Sequence, residues 1–150
     1  MFAAHALKGA AVIGIFIEVF ATYRAGDTQY RLAGEEAGCF KLANDFYDLM
    51  EQLDETQHIL SLHPGDLEES RDKLARFLCF YMNGPHLYQE KYGNIQLGAA
   101  HAHIPIGAAE RDAWLLCMAR ALQMQPWEDD FKEFLFIRFQ TPAHRIQNRP

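Results

Sequence analysis

Residues 84–118, GPHLYQEKYGNIQLGAAHAHIPIGAAERDAWLLCM, organise the chain around His101. His101 follows an approach of small residues, Gly98, Ala99 and Ala100, and the chain after it is broken by Pro105 and Gly107. From Ala108 to about Met124 the spacing predicts a helix, capped by Gly107 with Glu110 in its first turn. Trp114, Cys117, Met118 and Leu122 share one face of it. A lone histidine in a helical protein is most often a packed side chain. Its meaning here depends on the residues around it.

Working outward, Asn83-Gly84-Pro85 ends an earlier helix that opens at Asp66, an N-cap residue with Glu69 placed to complete a capping box. That helix sets Leu67, Ser70, Leu74, Phe77, Leu78 and Tyr81 on one face. Before it, His63-Pro64-Gly65 closes a short helical piece. From Ala37 to about Leu53 an amphipathic helix buries Phe40, Ala43, Tyr47 and Met50, and a buried phenol needs a hydrogen-bond partner. On the far side, Pro126 separates a last helix carrying Trp127, Phe131, Phe134 and Leu135, which Pro142 is expected to interrupt. No strand-like alternation persists, so the class is all-α.

The length bounds the chain to one domain with a substantial core, residues 27–150, preceded by an extension of residues 1–26 expected to be helical. The net charge of −6 and pI near 5.6 exclude a phosphate-backbone partner, so no nucleic acid is expected. In the extension, the apolar run from Gly9 to Ile17 is interrupted by Glu18. It falls short of the roughly twenty residues a membrane span needs. Lys8 and Ala21 mimic a secretory signal poorly. The expected role is a docked helix, held through Val12, Phe16, Val19 and Phe20. Cys39, Cys79 and Cys117 are odd in number and lack C-x-x-C spacing, which fits buried reduced thiols in a reducing, cytoplasmic compartment. C-x-x-C-H is absent as well.

Gly84-Pro85, Tyr88, Glu90, Gly93, Leu97, His101, Ile106, Glu110-Arg111-Asp112-Ala113-Trp114-Leu115 and Cys117-Met118 together resemble the signature of the group II truncated haemoglobins. The likeness runs from about Tyr30 to Asn148. It implies a two-over-two helical sandwich around haem b (iron protoporphyrin IX), with an extra N-terminal helix. His101 matches the proximal iron ligand. Tyr47 and Trp114 match distal donors, and His63 falls at the distal corner, in hydrogen-bonding range of ligand or of Tyr47. The implied pocket adds Ser70 at the entrance, Leu74 over the iron, then Phe46, Lys73, Phe77, Tyr88, Leu97, Ile104 and Ile106. The implied function is binding of dioxygen or other diatomic gases such as NO and CO, by a monomer or homodimer. Alternatives are a redox enzyme acting on NO or peroxide with an external reductase, since no flavin or nicotinamide fingerprint is present, and a gas sensor.

The chemistry suits those residue types. A neutral imidazole gives one nitrogen to ferrous iron while the other donates to a group that fixes the ring. A phenol O–H and an indole N–H can hold a ligand that gains partial negative charge. Against a zinc or di-iron reading of His101-x-His103, H-E-x-x-H is absent and neither histidine belongs to an E-x-x-H stretch. The chain departs from the family in places. Gly98-Ala99-Ala100 replaces the basic residues that pair a haem propionate, leaving Lys73 and Tyr88 as first candidates, ahead of Arg71, Lys91 and His103. The family's two Gly-Gly hinges read Gly34-Glu35 and Asn83-Gly84.

Overall fold

A computed structural model describes the backbone of residues 10–150 and the side chains of residues 17–150. The described residues are helical, with no strand: α1 (Ala10–Arg24), α2 (Thr28–Leu32), α3 (Glu35–Gln52), α4 (Gln57–Ser61), α5 (Glu68–Tyr81), α6 (Leu87–Tyr92), α7 (Leu97–His101), α8 (Ala108–Gln123) and α9 (Asp129–Ile146). A single 3-10 turn, Asp54–Thr56, leads into α4. α3 packs along α5 and α8 along α9, and the two pairs join where α3 meets α8. This is the two-over-two sandwich. The cavity described below opens between the pairs, floored by the short α6 and α7.

The buried residues of α3, Cys39, Leu42, Ala43, Phe46, Tyr47 and Met50, recur at three- and four-residue steps, which is one face of a helix. That face meets Leu78 and Cys79 of α5 and Cys117, Met118, Ala121 and Leu122 of α8, all fully buried. The turn into α3 is tight enough that a Cβ at Gly38 would lie 1.6 Å from the Ala33 carbonyl oxygen, so only glycine fits. Asp66, expected as the N-cap, falls one residue short: Leu67 occupies the cap position without a side-chain bond, and Asp66 accepts the Glu68 amide at 2.9 Å from the turn before it. Glu69, expected to complete a capping box, instead reaches forward to Lys73 at 2.6 Å.

One further expectation about helix ends changes. Pro142 does not interrupt the last helix; α9 continues through it to Ile146, and the proline is buried. The ring removes the amide that would bond the Arg138 carbonyl four residues back. That acceptor is taken by the Tyr81 phenol at 2.6 Å, so the break costs the helix no orphaned carbonyl. The two hinge departures also have a backbone signature. Glu35 (φ 61°) and Asn83 (φ 63°) are the positive-φ residues other than glycine among the described residues. Both stand where the family carries glycine.

α1 lies against α9: Phe20 meets Phe134 edge-on at 5.2 Å, and Tyr23 meets Phe131 and Phe134 at 5.3 Å each. Val12 and Phe16, expected to share in this docking, lie outside the described side chains. No helix among the described residues is long and apolar enough to cross a membrane. Cys39, Cys79 and Cys117 are buried free thiols. Cys117 donates to the Phe46 carbonyl at 3.0 Å, and burial pushes its pKa up to about 12.

Candidate functional site

α7 ends on His101, and its last turn sets the ring. The Nδ1 of His101 lies 2.7 Å from the carbonyl oxygen of Leu97, one turn back. With that nitrogen donating, the Nε2 lone pair is left for an external acceptor such as a metal. The ring lines a cavity of about 610 Å³ between α5, α7, α8 and α9. Ligand pockets of a few hundred to about 1,000 Å³ are typical for small molecules and cofactors. Its walls are apolar, formed by Leu74, Phe77, Leu97, Ile104 and Ile106, and one edge is polar, formed by Lys73, Tyr88 and Gln96.

The cavity collects twelve of the thirteen residues that the sequence put there: Tyr47, His63, Ser70, Lys73, Leu74, Phe77, Tyr88, Leu97, His101, Ile104, Ile106 and Trp114. The thirteenth, Phe46, stands one layer back. It is fully buried, and its ring meets Tyr47 at 5.0 Å and Trp114 at 5.3 Å, so it supports the two aromatics rather than lining the space. The reason is the helical step: Phe46 and Tyr47 are neighbours on α3, and turning one toward the cavity turns the other into the core.

Tyr47 is nearly enclosed, and burial, together with the neighbouring Cys117, raises its phenol well above the usual value. The Ser70 hydroxyl and the Arg71 guanidinium oppose that rise without reversing it. The phenol therefore keeps its proton at ordinary pH and acts as a donor. His63 stands edge-on to it at 5.6 Å, with its own Nδ1 2.7 Å from the Ile59 carbonyl. Trp114 is half-buried between Phe46 and Phe139.

Among the cations, Lys73 lines the cavity and pairs with Glu69 at 2.6 Å, which raises its pKa. Arg71 turns away to Asp48 at 2.8 Å and Glu51 at 3.3 Å. Lys91 is drawn onto Asp72 at 2.9 Å. Burial of Asp72 raises its pKa, but bonds from Tyr92, Lys91 and Arg76 outweigh this and bring it down to about 2. Of the side chains considered as propionate anchors, Lys73 and Tyr88 reach the cavity, whereas Arg71, Lys91 and His103 do not line it.

Several site residues were not anticipated from sequence. Pro142, Ala143 and Ile146 of α9 close one wall. Glu110 lines the cavity as well as capping α8: its Oε2 accepts the Gly107 amide at 2.9 Å, and its Oε1 meets His58 Nε2 at 3.0 Å. Asn148 fastens the loop after His101. Its Nδ2 donates to the carbonyls of Ile104 at 2.7 Å and His101 at 3.1 Å, and its Oδ1 accepts the Ile106 amide at 3.0 Å. An asparagine beyond the last helix carries no periodic signal that could have marked it.

The residues fit a haem. One histidine has a nitrogen to spare, the lining is largely apolar, and it includes a cation and a phenol that carboxylates could take. Two crossed helix pairs around such a cavity define a globin. The family described as bacterial-like globin matches residues 28–148. The Group 2 truncated hemoglobin YjbI of Bacillus subtilis is 35% identical over 120 residues, covering 80% of this chain and 88% of that protein. Among solved structures, the Group II 2-on-2 hemoglobin of Agrobacterium tumefaciens matches with a TM-score of 0.77 at 35% identity, over 81% of this chain and 95% of that one. The truncated oxygen-avid haemoglobin of Bacillus subtilis gives 0.71 at 33% identity, over 80% and 98%. The chain belongs to the bacterial-like globins, in the group II truncated haemoglobin branch.

Proposed function

We propose that this protein holds one haem b through His101 and binds dioxygen and other diatomic ligands such as NO and CO. The observation that carries the reading is the His101 ring, whose Nδ1 is committed to the Leu97 carbonyl while the ring lines an apolar cavity. Bound haem supplies a ferrous iron with one open coordination position. The chain supplies the rest. His101 would hold the iron. Tyr47 and Trp114 would offer an O–H and an N–H to a bound ligand, and Phe46 behind both keeps them in place. His63 orients Tyr47 or donates alongside it. Leu74, Phe77 and Ile106 would exclude water, and Lys73 and Tyr88 would hold the propionates. The oxygen-avid character stated for the Bacillus subtilis relative supports strong retention of dioxygen here.

Residues 1–26 are read as an appendage to a globin domain of residues 27–150. A second reading, turnover of NO or peroxide with an external reductase, is favoured by one observation: an aromatic stack leads from the cavity-lining Phe77 to the half-buried Arg138. The test of the main reading is the visible spectrum of the purified protein, with a pyridine haemochrome assay and titration with CO. One haem b per chain, with a ferrous spectrum that shifts on adding CO, is expected. A protein that takes up no haemin would defeat the reading.

A further inference from the structure

Phe77 lines the cavity and stacks on Tyr81 at 5.3 Å with 19° between the planes. Tyr81 stacks in turn on Phe139 at 5.7 Å and 21°, and Phe139 meets Trp114 at 6.4 Å. The guanidinium carbon of Arg138 lies 4.1 Å over the Tyr81 ring. Arg138 is held in that place by bonds to the Gln29 side chain and, at 2.7 Å, to the Tyr81 carbonyl. Two rings therefore separate the cavity from a fixed cation at the edge of α9.

Arg138 is not alone. Phe134, Arg138 and Arg145 recur at helical steps of four and seven, so they share one face of α9. Arg24 of α1 stands 5.9 Å over the Phe134 ring and adds a second guanidinium beside Arg138, while Arg145 acts on the same Tyr81. Arg24 and Arg145 are exposed, and Arg138 is half-buried. None of the three forms an ion pair among the described residues, and residues 1–16 contain no acid that could supply one. Asp130 and Glu128 act on Tyr23, the neighbour of Arg24, and neither pairs with any of the three arginines. In a chain of net charge −6, a local cluster of three unpaired arginines is a surface that favours an anionic partner.

We infer that Arg24, Arg138 and Arg145 form the docking surface for an acidic one-electron donor protein, which reduces the cofactor through the Tyr81–Phe77 stack. The inference rests on the haem reading above. One electron passes from the reduced donor to the ferric iron, with no bond made or broken and no proton moved. Such a donor is needed because ferric haem does not take up dioxygen, and the sequence shows no flavin or nicotinamide fingerprint. The aromatic stack favours a protein donor over an anionic membrane, since a lipid surface has no use for a path to the cavity.

The test uses the ferric holoprotein and reduced flavodoxin as the acidic donor, with CO present to trap the ferrous form in a stopped-flow mixer. For the native chain, the second-order rate constant should fall steeply as NaCl is raised. Arg24→Glu combined with Arg145→Glu should lower it about tenfold or more and flatten the salt dependence. Arg145→Glu alone should give part of the effect, which keeps the test valid if the Arg24 change disturbs α1. Arg120→Glu, an exposed change elsewhere on α8, should leave the rate unchanged, and reduction by dithionite should be equal in all variants. In ¹⁵N spectra of the CO form, flavodoxin should shift the amides around residues 24, 138 and 145. Equal flavodoxin rates in all variants, or shifts on another face, would overturn the inference. So would binding to anionic phosphatidylglycerol vesicles that the reversal abolishes while flavodoxin reduction is untouched. A chain that binds no haem would fail earlier, at the spectrum, and would be recognised as failure of the haem reading.

Discussion

The Tyr81 hydroxyl donates to the Arg138 carbonyl at 2.6 Å, which is the acceptor that Pro142 leaves without its helical partner. A side chain of α5 thus completes α9 at its proline. Removing the hydroxyl with Tyr81→Phe orphans that carbonyl and should destabilise the fold by about 1–2 kcal/mol. In a Pro142→Ala background the helix can supply its own amide, so the same change should cost less. Urea unfolding of the four-member cycle measures the coupling. Equal costs in both backgrounds would show that the phenol and the proline act independently.

Glu35 and Asn83 hold left-handed backbone at φ 61° and φ 63°. A β-carbon in that region costs about 1–2 kcal/mol, less for asparagine than for other residues. Glu35→Gly relieves it but gives up an acid in the first turn of α3 and adds unfolded-chain entropy. The net expectation is a gain of about 0.5–1 kcal/mol, or roughly 1–4 °C in Tm. Asn83→Gly should gain less. Thermal unfolding followed by circular dichroism decides, and a loss of stability in the Glu35 variant would contradict the strain argument.

These two hinges show how the sequence and the fold share information. The helices α3, α5, α8 and α9 are legible because their apolar residues recur at helical steps, and the cavity residues follow once those faces are set. Phe46 stands behind the cavity rather than on it, because adjacent residues on a helix point about 100° apart and only packing tells which one faces the space. Pro142 reads as a break in the sequence because a proline disrupts an isolated helix. The phenol that compensates it comes from a helix some sixty residues earlier in the chain, where no local pattern points to it. Asn148 is hidden for the same reason, since its three bonds are all to backbone that the sequence does not place.

Asn148 should matter for holding the loop after His101. Asn148→Ala leaves the Ile106 amide without its side-chain acceptor and frees the Ile104 carbonyl, a loss of about 1–3 kcal/mol in the order of that segment. The expected result is faster haem transfer to excess apomyoglobin, while dioxygen release changes little because Tyr47 and Trp114, the proposed donors to the ligand, are untouched. Haem loss at the native rate would mean that the loop holds without its asparagine.

Tyr47 and Trp114 are expected to retain dioxygen together. Tyr47→Phe and Trp114→Phe each remove one donor and keep most of the volume. Each should speed release by roughly 5- to 150-fold, corresponding to about 1–3 kcal/mol for a bond to a partly charged acceptor. Stopped-flow release rates check this. Native rates in both variants would leave the two as structural aromatics alone.

The central claim is that His101 is the iron ligand, and the most direct measurement is the spectrum of His101→Gly purified with and without imidazole. Glycine opens a space where the ring stood, and free imidazole can enter it and take the vacant axial position. The variant should lose the five-coordinate ferrous histidine spectrum and bind haem weakly. Added imidazole should restore both the spectrum and the haem content. A variant that keeps the native Soret band and full haem stoichiometry without imidazole would show that another residue holds the iron.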